Sequence, residues 1–177
     1  EKLRQFGKVI LMDDLQEHAY PVDAVINYNI FADAQQYSIL YGKGTQCYIG
    51  SEYIPIREQF LLTQSVLRND VEHVLITTGG GDIENIAGQI YECLAAENEK
   101  IHFHVISGVY NPYFETLKNL EACRSNLHVY HNVKNMAEMM IKCDLAITAG
   151  GSTVYELAAL GVPFICFSYA SNQVKLV

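Results

Sequence analysis

The chain has 177 residues, of which 50% are hydrophobic and 18% charged, enough for one sizeable globular domain or for one domain and part of another. Its net charge of −8 repels a phosphate backbone, so we expect no nucleic-acid partner. No apolar run is long enough to span a bilayer, and five widely spaced cysteines without a Cys-x-x-Cys pair predict reduced, buried thiols of a cytoplasmic protein. The chain lacks an initiator Met and opens within a strand pattern, so we expect a fragment.

The first 60 residues contain three short strand-like segments separated by turn-prone stretches. The segments are residues 9–12, 24–26 and 47–49. Because this region is too short for a complete domain, we predict that residues 1–60 are the last part of a preceding α/β domain. Residues 61–71 would then be a connecting segment, and residues 72–177 a second domain.

From residue 72 onward, the sequence alternates strand and helix patterns. Strand-like runs occur at 74–76, 101–106, 127–130, 144–147 and 163–167. Asp82 is predicted to cap the first of the intervening helices, and Pro112 to lie just inside the start of the second. A helix from Ser152 to Leu160 is closed by Gly161. Five β-α units in a row predict a parallel sheet with helices on both faces, with ligands binding beyond the carboxyl ends of the strands.

The loop after the fourth of these strands gives the strongest indication of a ligand-binding site. The strand ends in Ala-Gly-Gly at 149–151, and a helix begins at Ser152-Thr153. Glycines let a ligand approach the backbone, and the first N–H groups of a helix suit a diphosphate. Glu156 lies about one turn into the helix, where a carboxylate can accept two hydrogen bonds from a ribose diol. The alternative is a helix start that needs only tight packing against the strand.

A second glycine turn, Thr78-Gly-Gly-Gly-Asp82, follows the first strand of the same sheet. It matches neither the Gly-x-Gly-x-x-Gly dinucleotide fingerprint nor a Walker loop. Two glycine turns on strands of one parallel sheet would nevertheless face the same crevice, which favours a shared ligand. His102 and His104 lie on one face of a strand, but no third ligand is placed beside them, so we expect no metal.

Several longer stretches resemble a known family. Residues 74–82 with Asn85, and above all residues 135–156, are similar to the PseG-type UDP-sugar hydrolases, the SpsG spore coat polysaccharide proteins and, more distantly, the MurG glycosyltransferase. Residues 161–163 and 171–173 continue the match in register. In the N-terminal part, Asp13-Asp14, Asp23, residues 27–29 and the segment 53–60 resemble the same family.

The resemblance implies a GT-B fold, in which two α/β domains enclose the active site and the second domain holds UDP. It implies that the nucleotide contacts Gly80, Gly81, Val133, Gly151, Ser152, Thr153 and Glu156, with Val133 reading uracil through its backbone. Asn172 and Gln173 would lie near the sugar. No metal or other cofactor is implied. The catalytic histidine of the family belongs to a glycine-rich turn that no segment of this sequence matches, so the catalytic residue is unassigned.

The function implied by the resemblance is a UDP-sugar hydrolase that releases UDP from an acetamido-deoxy sugar during pseudaminic acid or surface or spore-coat polysaccharide biosynthesis. The fragment alone is expected to bind nucleotide weakly and not to turn over. A GT-B glycosyltransferase of the MurG type and a non-catalytic UDP-sugar-binding protein remain alternatives, since fold does not separate them. A Rossmann dehydrogenase is disfavoured by the missing dinucleotide fingerprint. The sequence does not indicate an oligomeric state.

Overall fold

The computed structural model of the protein describes residues 2–15 and 17–177. By its internal contacts the chain divides into two compact units. The first comprises residues 1–55 with 170–176, and the second comprises residues 56–169 with 177. Residues 56–71, which include the predicted connecting segment, therefore cluster with the second unit. The fully buried ring of Phe60 accounts for this, because it belongs to the core formed with Leu157 and Leu160.

The first unit is a small parallel sheet with one helix. Strands β1 (Ile10–Met12), β2 (Ala24–Asn27) and β3 (Gln46–Ile49) pair in that order. Helix α1 (Ala34–Tyr41) connects β2 to β3, and the Asp33 carboxylate accepts hydrogen bonds from the N–H groups of Gln35 and Gln36. The sequence did not predict α1. Among its residues only Tyr37 is buried, whereas Ile39 and Leu40 are exposed, so the helix lacks a clear apolar stripe.

The second unit contains a five-stranded, wholly parallel sheet in the order β6-β5-β4-β7-β8. The strands are β4 (His73–Thr77), β5 (His102–Ser107), β6 (Leu127–His131), β7 (Leu145–Ala149) and β8 (Phe164–Phe167). The helices between them are α2 (Ile86–Ala95), α3 (Phe114–Glu121), α4 (Met136–Ile141) and α5 (Ser152–Leu160). The predicted α/β class with a parallel sheet is confirmed, and each of the five predicted strands is present.

The helices cover both faces of this sheet, as the strand and helix alternation predicts. On one face, α2 and α3 pack against alternate strand residues, including Val74, Phe103 and Val105. On the other face, α4 and α5 pack against Leu75 and Ala146. Alternation places neighbouring residues of a strand on opposite faces, so the continuous apolar runs seen in the sequence are explained by burial on both sides.

Two helices begin later than the sequence predicts. Helix α2 begins at Ile86 rather than directly after Asp82, because Asn85 takes a left-handed backbone conformation with φ of 54° immediately before it. Helix α3 begins at Phe114, which leaves Pro112 outside it instead of in its first turn. The expectation for Pro112 was therefore wrong. The side-chain oxygen of Asn111 accepts a hydrogen bond from the Tyr113 N–H and turns the chain before the helix.

The cysteines differ partly from the prediction. All five are free thiols, but only Cys143 is buried, and Cys93 and Cys123 are exposed. The prediction of burial was wrong for these two, because they lie on the outer side of α2 and just beyond the end of α3. Within residues 2–15 and 17–177, no helix is long and apolar enough to cross a membrane.

Candidate functional site

The order of the strands creates one crevice at the carboxyl edge of the five-stranded sheet. The chain moves from β4 outward to β5 and β6 and then returns to place β7 on the other side of β4. Thr77 near the end of β4 is in register with Thr148 near the end of β7. The connections that leave these two strands lead to helices on opposite faces of the sheet. Ligands of parallel α/β sheets bind at such a switch point.

The turn after β4 is held in place by contacts with the loop after β5 and with Tyr169. Gly79 has φ of +92°, which favours glycine. A Cβ atom at Gly108 would lie 2.3 Å from the carbonyl oxygen of Gly80, so only glycine lets the loop after β5 pack against this turn. The Tyr110 N–H donates to the same oxygen at 3.1 Å, and the Tyr169 hydroxyl donates to the Thr78 carbonyl at 3.1 Å.

Gly80 and Gly151 differ from these structurally required glycines. Both are exposed, and a Cβ atom at either position would meet no atom of the protein within 4 Å. Gly151 has an extended backbone with φ of −176°, which any residue adopts, and Gly80 does not have a positive φ. Backbone conformation and packing therefore require glycine at neither position, and at Gly151 the fold adds only the general preference of a helix N-cap for Gly over Ala. Open space above both positions allows a ligand to reach the backbone.

The two helices that begin beside the crevice have different N-termini. The buried carboxylate of Asp82 accepts hydrogen bonds from the N–H groups of Ile86 and Ala87, at 2.7 and 2.9 Å, and so already places a negative charge at the start of α2. Helix α5 begins after Gly151. Among the described residues, no side chain caps it, and its first turn contains no acidic residue. The N-terminus of α5 is therefore the better place for an external anion.

Glu156 lies on α5 one turn after Thr153 and is paired with a residue that the sequence analysis did not assign to the site. One carboxylate oxygen, Oε1, accepts a hydrogen bond from Arg57 Nη2 at 3.0 Å. The Glu156 side chain is 15% exposed. Arg57 belongs to the 53–60 segment that resembles the known family, and this membership was the signal that could have drawn attention to it.

The remaining predicted contacts lie in two places. Val133 follows β6 at the same carboxyl edge, and its side chain packs against the core under α4 and α5. Gln173 ends a short 3-10 helix, Ser171–Gln173, that clusters with the first compact unit. The side chain of Asn172 lies outside the described part of the structure. The two glycine turns follow neighbouring strands, and Ser152, Thr153 and Glu156 lie in the first half of the helix after the second turn, whereas Asn172 and Gln173 cluster with the other unit.

Four of the six histidines form a cluster away from the carboxyl edge. His102 and His104 on β5 are joined by His73 on β4 and His128 on β6, with ring nitrogens 3.0 Å apart for His73 and His104 and 3.1 Å apart for His102 and His128. Burial, and then the neighbouring histidines, lower the pKa of His104 to about 4. Among the described residues, no group of three or more His, Cys, Asp or Glu is arranged to hold a metal ion.

Two half-open pockets of the second unit lie apart from the predicted nucleotide residues. A 640 Å³ cavity is lined by residues from the ends of α2 and α3, including Tyr91 and Asn126. A 430 Å³ cavity is lined by Arg68, His104 and Asp144, among others. At the carboxyl edge, a Cβ atom at Gly80 or Gly151 would have no protein atom within 4 Å, so the backbone at these positions is accessible.

Comparison with known proteins supports the resemblance. Residues 73–176, more than half of the chain, match the glycosyltransferase family 28 C-terminal domain. A Helicobacter pylori protein named pseudaminic acid cytidylyltransferase and UDP-2,4-diacetamido-2,4,6-trideoxy-beta-L-altropyranose hydrolase is 30% identical over 97% of the chain. The Bacillus subtilis spore coat polysaccharide biosynthesis protein SpsG is 27% identical over 94% of the chain. The similarity to PseG-type and SpsG proteins is confirmed.

These relatives are longer than the chain, which spans 32% of the Helicobacter pylori protein and 50% of the Bacillus subtilis protein. Among solved structures, the crystal structure of TarM superposes on 94% of the chain, and on 32% of its own length, with a TM-score of 0.55 and 13% sequence identity. Together with the family match, this likeness confirms the predicted GT-B fold class.

Proposed function

Because the chain belongs to the glycosyltransferase family 28 C-terminal domain family, we propose that it supplies the nucleotide-binding part of a UDP-sugar hydrolase. The whole protein would release UDP from an acetamido-deoxy sugar in pseudaminic acid or surface or spore-coat polysaccharide biosynthesis. The activity in the name of the Helicobacter pylori relative and the biosynthetic role in the name of the Bacillus subtilis relative support this reaction class. The five free cysteines support a cytoplasmic location.

The observation that carries the proposal is the pair of glycines at 80 and 151. Neither position requires glycine for backbone conformation or packing, and both face open space at the switch point between β4 and β7. A side chain at either position would occupy the space through which a diphosphate approaches the main chain. Ligand approach to the backbone would account for glycine at both positions, which neither backbone conformation nor packing requires.

The diphosphate would be held by the start of α5. The N–H groups of Gly151, Ser152 and Thr153 supply donors, and the partial positive charge of the helix N-terminus favours an anion. Gly80 and Gly81 supply main-chain donors from the opposite side of the crevice. This arrangement needs no basic side chain, which fits a chain whose net charge is −8.

The nucleoside would extend from this point along the carboxyl edge. The Glu156 carboxylate would accept hydrogen bonds from the two ribose hydroxyls, and the backbone of Val133 would contact uracil. Asn172 and Gln173 would contribute to the sugar site. No metal or other cofactor is part of the proposal.

In the proposed reaction, a water oxygen attacks the anomeric carbon, the bond between that carbon and the phosphate oxygen breaks, and UDP leaves with the electron pair while water loses a proton. The backbone donors at α5 would stabilise the charge that develops on the leaving diphosphate. The group that accepts the proton from water is not assigned to a residue of this chain.

A glycosyltransferase is the second candidate, since the matched family is named for that activity. The scaffold would be the same, but an acceptor hydroxyl would replace water. The deciding experiment incubates the purified full-length protein with a UDP-linked diacetamido-trideoxy hexose and measures free sugar and UDP by mass spectrometry. Sugar release without an acceptor supports hydrolysis. Turnover only when an acceptor is added contradicts it, and the absence of both turnover and UDP binding contradicts the entire proposal.

A further inference from the structure

Arg57 is held against Glu156 by contacts on two sides of its guanidinium group. Its Nη2 donates to Glu156 Oε1 at 3.0 Å, and its guanidinium carbon lies 4.8 Å from the centroid of the Phe60 ring. Phe60 is completely buried in the core that also contains Leu157 of α5. The guanidinium is therefore fixed relative to the same helix that carries Glu156.

The exposure of the two partners argues against a purely structural ion pair. Arg57 is 53% exposed and Glu156 only 15% exposed. An ion pair with so exposed a partner contributes little to folding. The more buried carboxylate, in contrast, gains a fixed orientation, because rotation about its terminal bond would break the hydrogen bond from Arg57.

The remaining acceptor capacity of the carboxylate matches a vicinal diol. A carboxylate offers about four lone-pair positions on its two oxygens, and Arg57 uses one of them. Two neighbouring hydroxyl groups need two acceptor positions in one plane at a fixed angle. A freely rotating carboxylate would have to be ordered when the ligand binds, whereas a carboxylate already fixed by Arg57 would not.

We infer that Arg57 is a positioning residue that orients the Glu156 carboxylate for the 2′ and 3′ hydroxyls of the ligand's ribose, and so makes the site selective for ribonucleotides over deoxynucleotides. The inference rests on the proposed function, and it adds a residue that lies outside the matched domain, 99 positions before its partner. Arg57 acts through Glu156 and does not itself contact the nucleotide.

The test compares two ligands that differ only in the diol. Calorimetric titrations measure the affinity of the protein for UDP and for 2′,3′-dideoxyuridine diphosphate, with Arg57→Met, Arg57→Lys, Glu156→Gln and the double variant Arg57→Met with Glu156→Gln. We expect Arg57→Met to weaken UDP binding about tenfold, because the Glu156 carboxylate loses the charge-assisted hydrogen bond that orients it. Binding of the dideoxy ligand should change by less than about twofold. Arg57→Lys should restore part of the UDP affinity, because an ammonium keeps the charge but not the planar fork.

Glu156→Gln provides the matched control. In the double variant, the Arg57 substitution should cause little additional loss, since its effect passes through the carboxylate. Equal weakening of both ligands, or full additivity in the double variant, would overturn the inference while leaving UDP binding established. If the unchanged protein binds neither ligand, the proposed function fails and the inference fails with it. Thermal unfolding of each variant shows whether it folds, and Arg57→Lys keeps the comparison informative should Arg57→Met be unstable.

Discussion

Gly108 packs directly against Gly80, so that a Cβ atom at position 108 would lie 2.3 Å from the Gly80 carbonyl oxygen. The loop after β5 therefore supports the turn after β4. Gly80 itself faces open space on its other side. One glycine of this pair is required by the fold, and the other has no such requirement. Gly108 is therefore a structural glycine, and Gly80, which it contacts, is a candidate binding glycine.

Replacing Gly108 with Ala should destabilise the protein. The new methyl group would meet backbone atoms of Gly79 and Gly80 at 2.3–2.5 Å, and backbone cannot move aside as a flexible side chain can. We expect a loss of about 1–3 kcal/mol in the free energy of unfolding, typical of overpacking. Chemical denaturation measures it. Unchanged stability would show that the two loops do not pack as described.

Replacing Gly151 with Ala should lower the free energy of unfolding by no more than about 1 kcal/mol, because Gly151 is the N-cap of α5 and Ala caps less well, and should weaken UDP binding. Its backbone is extended, and the added methyl group would meet no protein atom within 4 Å. The methyl group would instead stand where the diphosphate approaches the start of α5, so we expect affinity to fall by about tenfold or more.

Gly44→Ala is the matched control for Gly151→Ala. Gly44 is also exposed, has no positive φ, and has open space at its Cβ position, but it lies in the first unit. Gly44→Ala should unfold close to the temperature of the unchanged protein, and Gly151→Ala only slightly below it, so that both variants are folded when UDP is added. Calorimetry with UDP should separate them. Equal affinity of the two variants for UDP would remove the main support for the proposed site.

The sequence predicts the parallel sheet well and predicts contacts between distant residues poorly. Strands β4 and β7 are short apolar runs that end at glycine turns, and such runs are recognisable because both sheet faces are buried there. Helix α1 escaped prediction because its exposed Ile39 and Leu40 obscure the single buried residue, Tyr37. A helix stabilised mainly by its cap and by one ring carries little periodic signal.

In the candidate site too, local patterns are predictable from the sequence and contacts between distant residues are not. Glu156 and the glycine turns are local patterns, so residue type and spacing predict them. Arg57 is 99 positions from Glu156, and nothing in the local sequence places the two side chains together. The histidine cluster is intermediate: His102 and His104 share a strand and a face, but only strand register brings His73 and His128 beside them.

Removing the carboxylate of Asp82 should destabilise the second unit. This side chain is 2% exposed and accepts hydrogen bonds from two N–H groups at the start of α2. Asp82→Ala would leave both donors without their partner in a buried setting, and we expect a loss of about 2 kcal/mol. Asp33→Ala removes the corresponding cap of α1 at an exposed position and should cost less, about 1 kcal/mol. Denaturant titration compares the two, and a larger loss for Asp33→Ala would contradict this ranking.

The histidine cluster should make the protein less stable in mild acid. The pKa of His104 is lowered from an ordinary value of 6.5 to about 4, because burial and the positive charges of protonated neighbours disfavour its charged form. Between pH 6.5 and 4 the unfolded chain therefore binds more protons at this residue than the folded chain does. Its contribution to the free energy of unfolding falls as pH decreases through this window, by on the order of 2 kcal/mol after allowance for solvent screening.

His104→Gln tests this origin of the pH dependence. The groups facing His104 are His73, His102, His128 and Tyr130, and the adjoining cavity adds Arg68, Glu72, Lys142 and Asp144. All of them remain in the variant, so urea titrations at several pH values should show a shallower loss of stability between pH 6.5 and 4 than in the unchanged protein. The variant removes the titrating ring, and the difference between the two curves isolates its contribution. His18→Gln, at an exposed position, should retain the original slope. Parallel curves for His104→Gln and His18→Gln would mean that the acid sensitivity arises elsewhere.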